Sequence, residues 1–311
     1  MFICKAIKHF NKLYFSTCDR SVKTVQAYGN DLKQFQGFLK KNIKLSSIAP
    51  EMIENWAINL KNQNYAPASI QRKMSSLKVF FNYWVRKKEM PHSPMCHLKI
   101  DFGKSRILPK TLSQNEISSL LKQASSHLTY YTHNIKSIGF DFLALRNLAI
   151  VETMFSTGMR VGEIVSLNLV DFHQNERLII VKGKGNRQRL AFLIEEHSFS
   201  IIIEYKNKLK ELLPDNSAFF INIFRKRITT QGVANIISQL AQQAGIKKHI
   251  TPHMLRHTAA TFFLRNGADL RVVQEFLGHS SIITTQRYTH VSKEHLIDQL
   301  KNYHPAISIK R

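Results

Sequence analysis

Thr251-Pro-His-Met-Leu-Arg-His257, Leu277-Gly-His-Ser-Ser281 and Gln286-Arg-Tyr-Thr-His290 fall within 40 residues of one another, and their order decides how the rest of the chain is read. Thr251-Pro252 is a helix start. His253 and Arg256, three apart, then share one face of that helix. Gly278 suits the left-handed position that closes a helix, with His279 just beyond it and Tyr288 nine positions further on. Two imidazoles, a guanidinium and a phenol are the groups needed for chemistry on a phosphodiester. Arginine supplies a permanent planar cation for non-bridging oxygens. Histidine takes or gives a proton near neutral pH, and tyrosine can be a covalent nucleophile. Singly, each has a plainer reading. The chain holds 14 His, so a His-x-x-Arg pair arises by chance, and a lone His is most often an ordinary surface or core residue. The ordered set is what carries weight.

Two upstream stretches extend it. Leu143 to Thr157 reads as a buried helix that stops at Gly158, so in Thr157-Gly-Met-Arg-Val-Gly-Glu163 the next short helix starts at Arg160. Glu163, one turn later, is placed to hold Arg160; alone, the two would be a surface ion pair. Leu178-Ile-Ile-Val181 is apolar and largely β-branched, and Lys-Gly-Lys-Gly-Asn and then Arg187-Gln-Arg-Leu-Ala-Phe192 follow. That pattern predicts a hairpin with a glycine-rich turn, its basic tip aimed at a DNA groove. Lys184 sits between two glycines, where the backbone can approach a ligand closely. The turn lacks the spacing and the Ser/Thr of a nucleotide-binding P-loop.

Charge narrows the partner. The 311 residues include 45 Lys and Arg against 21 Asp and Glu, a formal +24. Such an excess calls for a polyanion, and nucleic acid is the most economical choice. A membrane-surface protein would concentrate its charge on a separate amphipathic helix, whereas here basic residues run throughout. A hydrophobic content of 43% supports folded cores. Three Cys, odd in number and without a CxxC pair, argue for a reducing compartment and against a disulfide framework or zinc site. No apolar run reaches spanning length, and Lys5, Lys8 and His9 stand where a signal peptide needs its apolar stretch. The expectation is a cytoplasmic, nucleoid-associated protein with no membrane partner.

Residues 1–90 predict a bundle of four helices. Val22, Val25, Tyr28, Leu32, Phe35 and Leu39 keep a helical period; Pro50 and Pro67 each open another helix. Lys23, Lys33, Lys61, Arg72, Lys73, Lys78, Arg86, Lys87 and Lys88 are numerous enough to make one face a DNA contact. Pro91, Pro94 and Pro109 bracket a linker, 91–109, and Ser113-Gln-Asn-Glu116 is a capping box that opens the second domain, 110–311. Near the end, Leu296, Ile297 and Leu300 form a short apolar stripe that needs a groove to cover.

On the HxxR, LGH and RYTH motifs, with TGMRVGE and the KGKGN hairpin, the chain resembles a tyrosine recombinase of the phage-integrase family, closest in pattern to the Xer recombinases. The resemblance spans nearly the whole sequence. It implies a mainly α protein with a small β-hairpin or sheet: an N-terminal SAM-like core-binding bundle that clamps DNA, and a C-terminal α+β catalytic domain. It further implies that Tyr288 attacks the scissile phosphate to form a 3′-phosphotyrosyl link, with Arg160 and Arg256 neutralising the non-bridging oxygens. Lys184 would protonate the leaving 5′-oxygen, His253 would act as general base, and His279 would hydrogen-bond the phosphate. No metal or other cofactor is implied, because fixed cations do the work of metal ions. The partners implied are paired recombination sites and a homo- or hetero-tetramer passing through a Holliday junction, serving dimer resolution or mobile-element integration. The C-terminal helix would dock on a neighbouring subunit; packing on its own domain is the alternative. Asn147 departs from the acid expected after Arg146, and Ala191 from the Val-Pro usual in the hairpin. A type IB topoisomerase shares the chemistry, but the compact two-domain length and the GKG and LGH contexts favour the recombinase. A catalytically idle DNA-binding protein would make all six groups coincidental, and a ribonuclease would not need Tyr288.

Overall fold

Pro50 and Pro67 sit where a missing N–H costs nothing, at the first position of α3 (Pro50–Asn62) and α4 (Pro67–Arg86). With α1 (Ile3–Thr17) and α2 (Val22–Leu39) they form the first of two compact units, Met1–Ile107 and Leu108–Arg311. The computed structural model describes residues 1–17, 22–96, 98, 110–132, 138–183, 188–278 and 293–309. Apolar residues three and four apart on α4, from Ile70 through Met74, Leu77, Phe80 and Phe81 to Trp84, are all buried. They meet Phe10 from α1, Leu32 and Phe35 from α2 and Trp56 from α3. The rings interlock edge to face, Phe10 on Phe80 at 5.3 Å and Phe80 on Phe81 at 5.3 Å between centroids. Met90 belongs to this core, and Met95 and Leu98 rest on it, so its packing runs past residue 90 into the expected linker.

One charged cluster corrects the basic-face reading. Asp31 of α2, 1% exposed, pairs with Lys73 Nζ at 3.1 Å and with Arg72. Lys73, 5% exposed, also donates to Gln34 Oε1. It therefore ties α2 to α4 and is not available to DNA.

The second unit is built around α6 (Ile138–Thr157), in which Leu148, Ala149, Ile150 and Val151 are consecutive and all buried. A helix buried on every side needs neighbours all round, and α6 has α5 (Gln114–Thr132), α8 (Glu196–Leu212) and α10 (Pro252–Arg265). α5 opens on the expected capping box: Ser113 N donates to Glu116 Oε2 at 2.7 Å and Glu116 N to Ser113 Oγ at 3.3 Å. The aromatic stretch after Ser125 continues α5 to Thr132, and α6 begins at Ile138, five residues earlier than the expected Leu143. Arg146, 5% exposed, has no carboxylate within 4 Å among the described residues. Instead Asn147 Oδ1 accepts from its Nε at 3.1 Å and from a terminal nitrogen at 2.7 Å, and Ile221 O accepts from the other at 3.0 Å.

α6 is followed by α7 (Val161–Ser166) and an antiparallel three-stranded sheet, β1 (Phe172–His173), β2 (Leu178–Lys182) and β3 (Gln188–Phe192), in the order β1-β2-β3. The β2–β3 register pairs Ile179 with Ala191 and Val181 with Arg189. After α8 come α9 (Thr230–Gln243), α10, α11 (Leu270–Leu277) and α12 (Lys293–Tyr303). Leu296 and Leu300 of α12 are buried in this unit's own core at 7% and 1% exposure, and the 3₁₀ turn that follows, Pro305–Ser308, packs on α10 and α6. In the single chain the apolar stripe is thus already covered. No described helix is long and apolar enough to cross a membrane.

Candidate active site

Thr251 caps α10 by accepting from Met254 N at 3.2 Å, and Pro252 takes the first helical position. His253 is exposed on that first turn, and Arg256, one turn later, is 6% exposed. Among the described residues the Arg256 guanidinium pairs with no carboxylate. It donates to Gly158 O, at the end of α6, and to Leu277 O, at the end of α11, the latter at 2.5 Å. Leu277 ends α11 and Gly158 directly follows α6, and carbonyls at such helix ends lack intrahelical donors and lie at the negative end of the dipole.

Arg160 reaches the same place from another direction. Gly158 adopts φ 59°, which ends α6 and turns the chain so that Arg160 caps α7. A Cβ at Gly158 would lie 2.7 Å from Phe276 Cε1, so only glycine lets α11 approach here. From that cap Arg160 donates one terminal nitrogen to Glu163 Oε1 at 2.7 Å and the other to Gly278 O at 3.0 Å. Its backbone N–H binds Glu163 Oε2 at 2.8 Å. The expected brace between Glu163 and Arg160 is therefore present.

A third guanidinium, to which the sequence reading gave no role, completes the cluster. Arg189 on β3 donates to Phe276 O at 3.0 Å and to Glu163 Oε2 at 3.0 Å. Phe276, Leu277 and Gly278 are consecutive, so three arginines from β3, α10 and the α7 cap each hold one carbonyl at the end of α11. The sequence held a faint signal for Arg189. Strand alternation puts it on the inward face with Ala191 while apolar Leu190, 38% exposed, points outward.

Three guanidiniums share one hydrogen-bonded carboxylate, an excess of two positive charges within these four groups, while Glu275 also pulls on Arg189. Burial acts to raise the Glu163 carboxyl, but the charge of Arg189 and the bonds from Arg160 outweigh it and hold it below the usual range. Burial, helped by repulsion from Arg160, lowers the Arg256 guanidinium to about 10, which leaves it charged at neutral pH. Burial likewise lowers Arg189, against the opposing pull of Glu163. A guanidinium has five N–H donors, and the bonds above leave some unused on both Arg160 and Arg256. The Arg160 side chain is 39% exposed and open to a ligand. Such a site suits a tetrahedral anion. Among the described residues no group of three His, Cys, Asp or Glu side chains is placed to hold a metal ion.

Of the six residues expected to do chemistry, the structure brings Arg160 and Arg256 together on adjacent carbonyls and leaves His253 exposed on the helix that carries Arg256. Lys184, between β2 and β3 in the sequence, and His279 and Tyr288, after α11 in the sequence, lie outside the described residues.

The match to known proteins covers both units. Residues 110–295 fit the phage integrase family and residues 7–88 the phage integrase N-terminal SAM-like domain. The chain is 36% identical over 291 residues to a tyrosine recombinase XerD of Oceanobacillus iheyensis, covering 92% of this chain and 93% of that protein. It is also similar in structure to the XerH site-specific recombinase bound to difH substrate in a pre-cleavage complex, with a TM-score of 0.64 and 25% identity over 88% of this chain and 78% of that one. A lambda integrase tetramer bound to a Holliday junction shares the fold at a TM-score of 0.69 and 16% identity, over 93% of this chain and 80% of the other.

Proposed function

This chain belongs to the phage integrase family and is a site-specific tyrosine recombinase, and from that premise we propose how its residues divide the chemistry. Tyr288 attacks a scissile phosphate and becomes joined to the 3′ end through a phosphotyrosyl ester, while the 5′-oxygen leaves. Arg160 and Arg256 bind the two non-bridging oxygens, whose charge grows in the transition state; preorganised cations do this without reorganisation. Lys184 gives a proton to the leaving oxygen, His253 accepts the one from the tyrosine, and His279 donates to the phosphate. The ester conserves the energy of the broken bond, so a second DNA end can reverse the step without ATP. Double-stranded DNA carrying paired sites is the substrate, a tetramer the working assembly and a Holliday junction the intermediate. Leaving its own core for that of a neighbour would let α12 link the subunits.

The observation that carries this reading is the capture of three consecutive carbonyls, of Phe276, Leu277 and Gly278, by Arg189, Arg256 and Arg160. It gathers Arg160 and Arg256 at Gly278 and Leu277, the two residues that directly precede His279 in the chain.

A nicked duplex library with a randomised core tests it. Wild-type protein should trap members of the library as a covalent band on a denaturing gel, and the recovered sequences give the site. Tyr288→Phe should bind the recovered duplex and form no adduct. A covalent band in that variant would remove Tyr288 from the role of nucleophile.

A further inference from the structure

Arg189 is more deeply buried than its sequence suggests. Its side chain is 11% exposed, against 39% for Arg160. It therefore does not share the open position that suits Arg160 to a phosphate oxygen. Its guanidinium joins three elements instead: β3, on which it stands; α7, through Glu163 Oε2; and α11, through Phe276 O. It also lies against the backbone at Gly278, where an added Cβ would fall 2.3 Å from its Cδ and 2.6 Å from its Nε. The same Glu163 carboxylate holds the side chain and backbone N–H of Arg160.

Resting on the recombinase reading above, we propose that Arg189 is a positioning residue for strand cleavage. It fixes the Glu163 carboxylate that orients Arg160, and it locks the root of the β2–β3 hairpin against the end of α11. Without it, Glu163 loses its most buried partner and is free to turn on Arg160. Phe276 O loses its donor, and β3 loses its tie to the helix whose other terminal carbonyls orient Arg160 and Arg256. A lysine keeps the charge yet cannot span two acceptors as a planar fork does.

The test uses full-length protein and the nicked duplex recovered by wild-type trapping, with single-turnover adduct formation measured at saturating protein. Arg189→Gln should cleave about 10- to 100-fold more slowly, the scale of a misplacement near 1 Å, while its affinity for a half-site stays within about twofold of wild type, well under one factor of ten. Arg189→Lys should fall between, and it carries the test if Arg189→Gln does not fold. Because Arg189 acts in part through Glu163, the Arg189→Gln change should slow Glu163→Gln by a smaller factor than it slows wild type, a less than additive loss. The acid limb of the cleavage profile should move to higher pH in Arg189→Gln, since Glu163 has lost the charge that opposes its protonation; a purely structural contact would not move it. Wild-type cleavage by Arg189→Gln, strictly additive losses, or an equal loss of half-site affinity would each overturn the positioning role alone. A wild-type protein that traps no duplex would overturn the recombinase chemistry and this inference with it.

Discussion

Replacing Glu163 by Gln changes one heavy atom beside two guanidiniums: it removes the charge, keeps one accepting oxygen and turns the other into a donor. Glu163 Oε2 lies 3.0 Å from Arg189, with the two side chains 7% and 11% exposed. At that separation and an effective dielectric near 20, their attraction is roughly 5 kcal/mol. Removing one member of a buried pair costs about 3–5 kcal/mol, because the other charge stays buried. The second pair, with Arg160 at 2.7 Å, involves a side chain 39% exposed and is screened, so it adds little. The amide of Gln still accepts one bond, which places the net loss near 3 kcal/mol. For a unit of about 200 residues this lowers the melting temperature by roughly 6–12 °C.

The assay has an internal reference. Both tryptophans, Trp56 and Trp84, lie in the first unit, Met1–Ile107. Tryptophan fluorescence therefore follows that unit, while circular dichroism follows the helices of both. Glu163→Gln should lower the part of the dichroism transition that belongs to Leu108–Arg311 and leave the fluorescence midpoint in place. The pH dependence has a fixed sign. The folded Glu163 carboxyl is held below its ordinary value, so its contribution is fully present above about pH 4.3 and is lost as the pH falls through the folded value. The variant should lack that part of the acid destabilisation. A second-unit midpoint within about 1 °C of wild type, well under the shift expected for 1 kcal/mol, would refute the claim that Glu163 is the counter-charge of this cluster.

Asn147→Asp supplies the missing carboxylate for buried Arg146 and should stabilise the second unit by about 1 kcal/mol at neutral pH, the gain of a charged over a neutral acceptor. Arg146 depresses the new carboxyl, so the gain should vanish as the pH falls through that lowered value; thermal melts at neutral and acid pH measure it. Gly278→Ala places a Cβ in a left-handed residue, φ 62°, against Arg189. It should cost more than the 1–2 kcal/mol or so of the backbone term alone and slow adduct formation more than it weakens half-site binding. DNA affinity should fall steeply with salt, with a log–log slope of about −0.9 for each phosphate neutralised, and a nearly flat slope would exclude a clamp by this +24 chain. Adduct formation should persist in EDTA, and its loss there would reveal a metal requirement.

Much of this architecture is written in local signals. The proline starts at Pro50, Pro67 and Pro252, the box Ser113–Glu116 and the glycine ends at Gly158 and Gly278 each encode a helix boundary within a few residues. The Arg160–Glu163 brace is legible too, because three residues on a helix are neighbours in space. What is not legible depends on partners distant in sequence. Lys73 reads as one more surface cation until Asp31, 42 positions away, is found beside it in the core. Asn147 reads as a lost ion pair, although its amide oxygen takes two donors from Arg146. Arg189 reads as part of a basic hairpin tip, because its acceptors are a carboxylate 26 positions back and a carbonyl 87 ahead. A carbonyl acceptor has no residue identity, so no motif records it.

That reliance on carbonyls has a chemical reason. An arginine meant for a phosphate must be held in one orientation before the phosphate arrives, and a carboxylate would hold it at the expense of its charge. Pairing every guanidinium with an acid would bring the site to neutrality and remove its attraction for an anion. Backbone carbonyls orient by partial charge alone, and those ending a helix are strong acceptors because they lack partners of their own. Four of them, on Gly158, Phe276, Leu277 and Gly278, take bonds from Arg160, Arg189 and Arg256, while the only carboxylate hydrogen-bonded to these arginines among the described residues is Glu163. Two positive charges are left over, already aimed, one on buried Arg256 and one on half-exposed Arg160. On the proposed chemistry, a phosphate that enters would complete an existing field, and the charge building on its oxygens during attack would be met by donors that need not move.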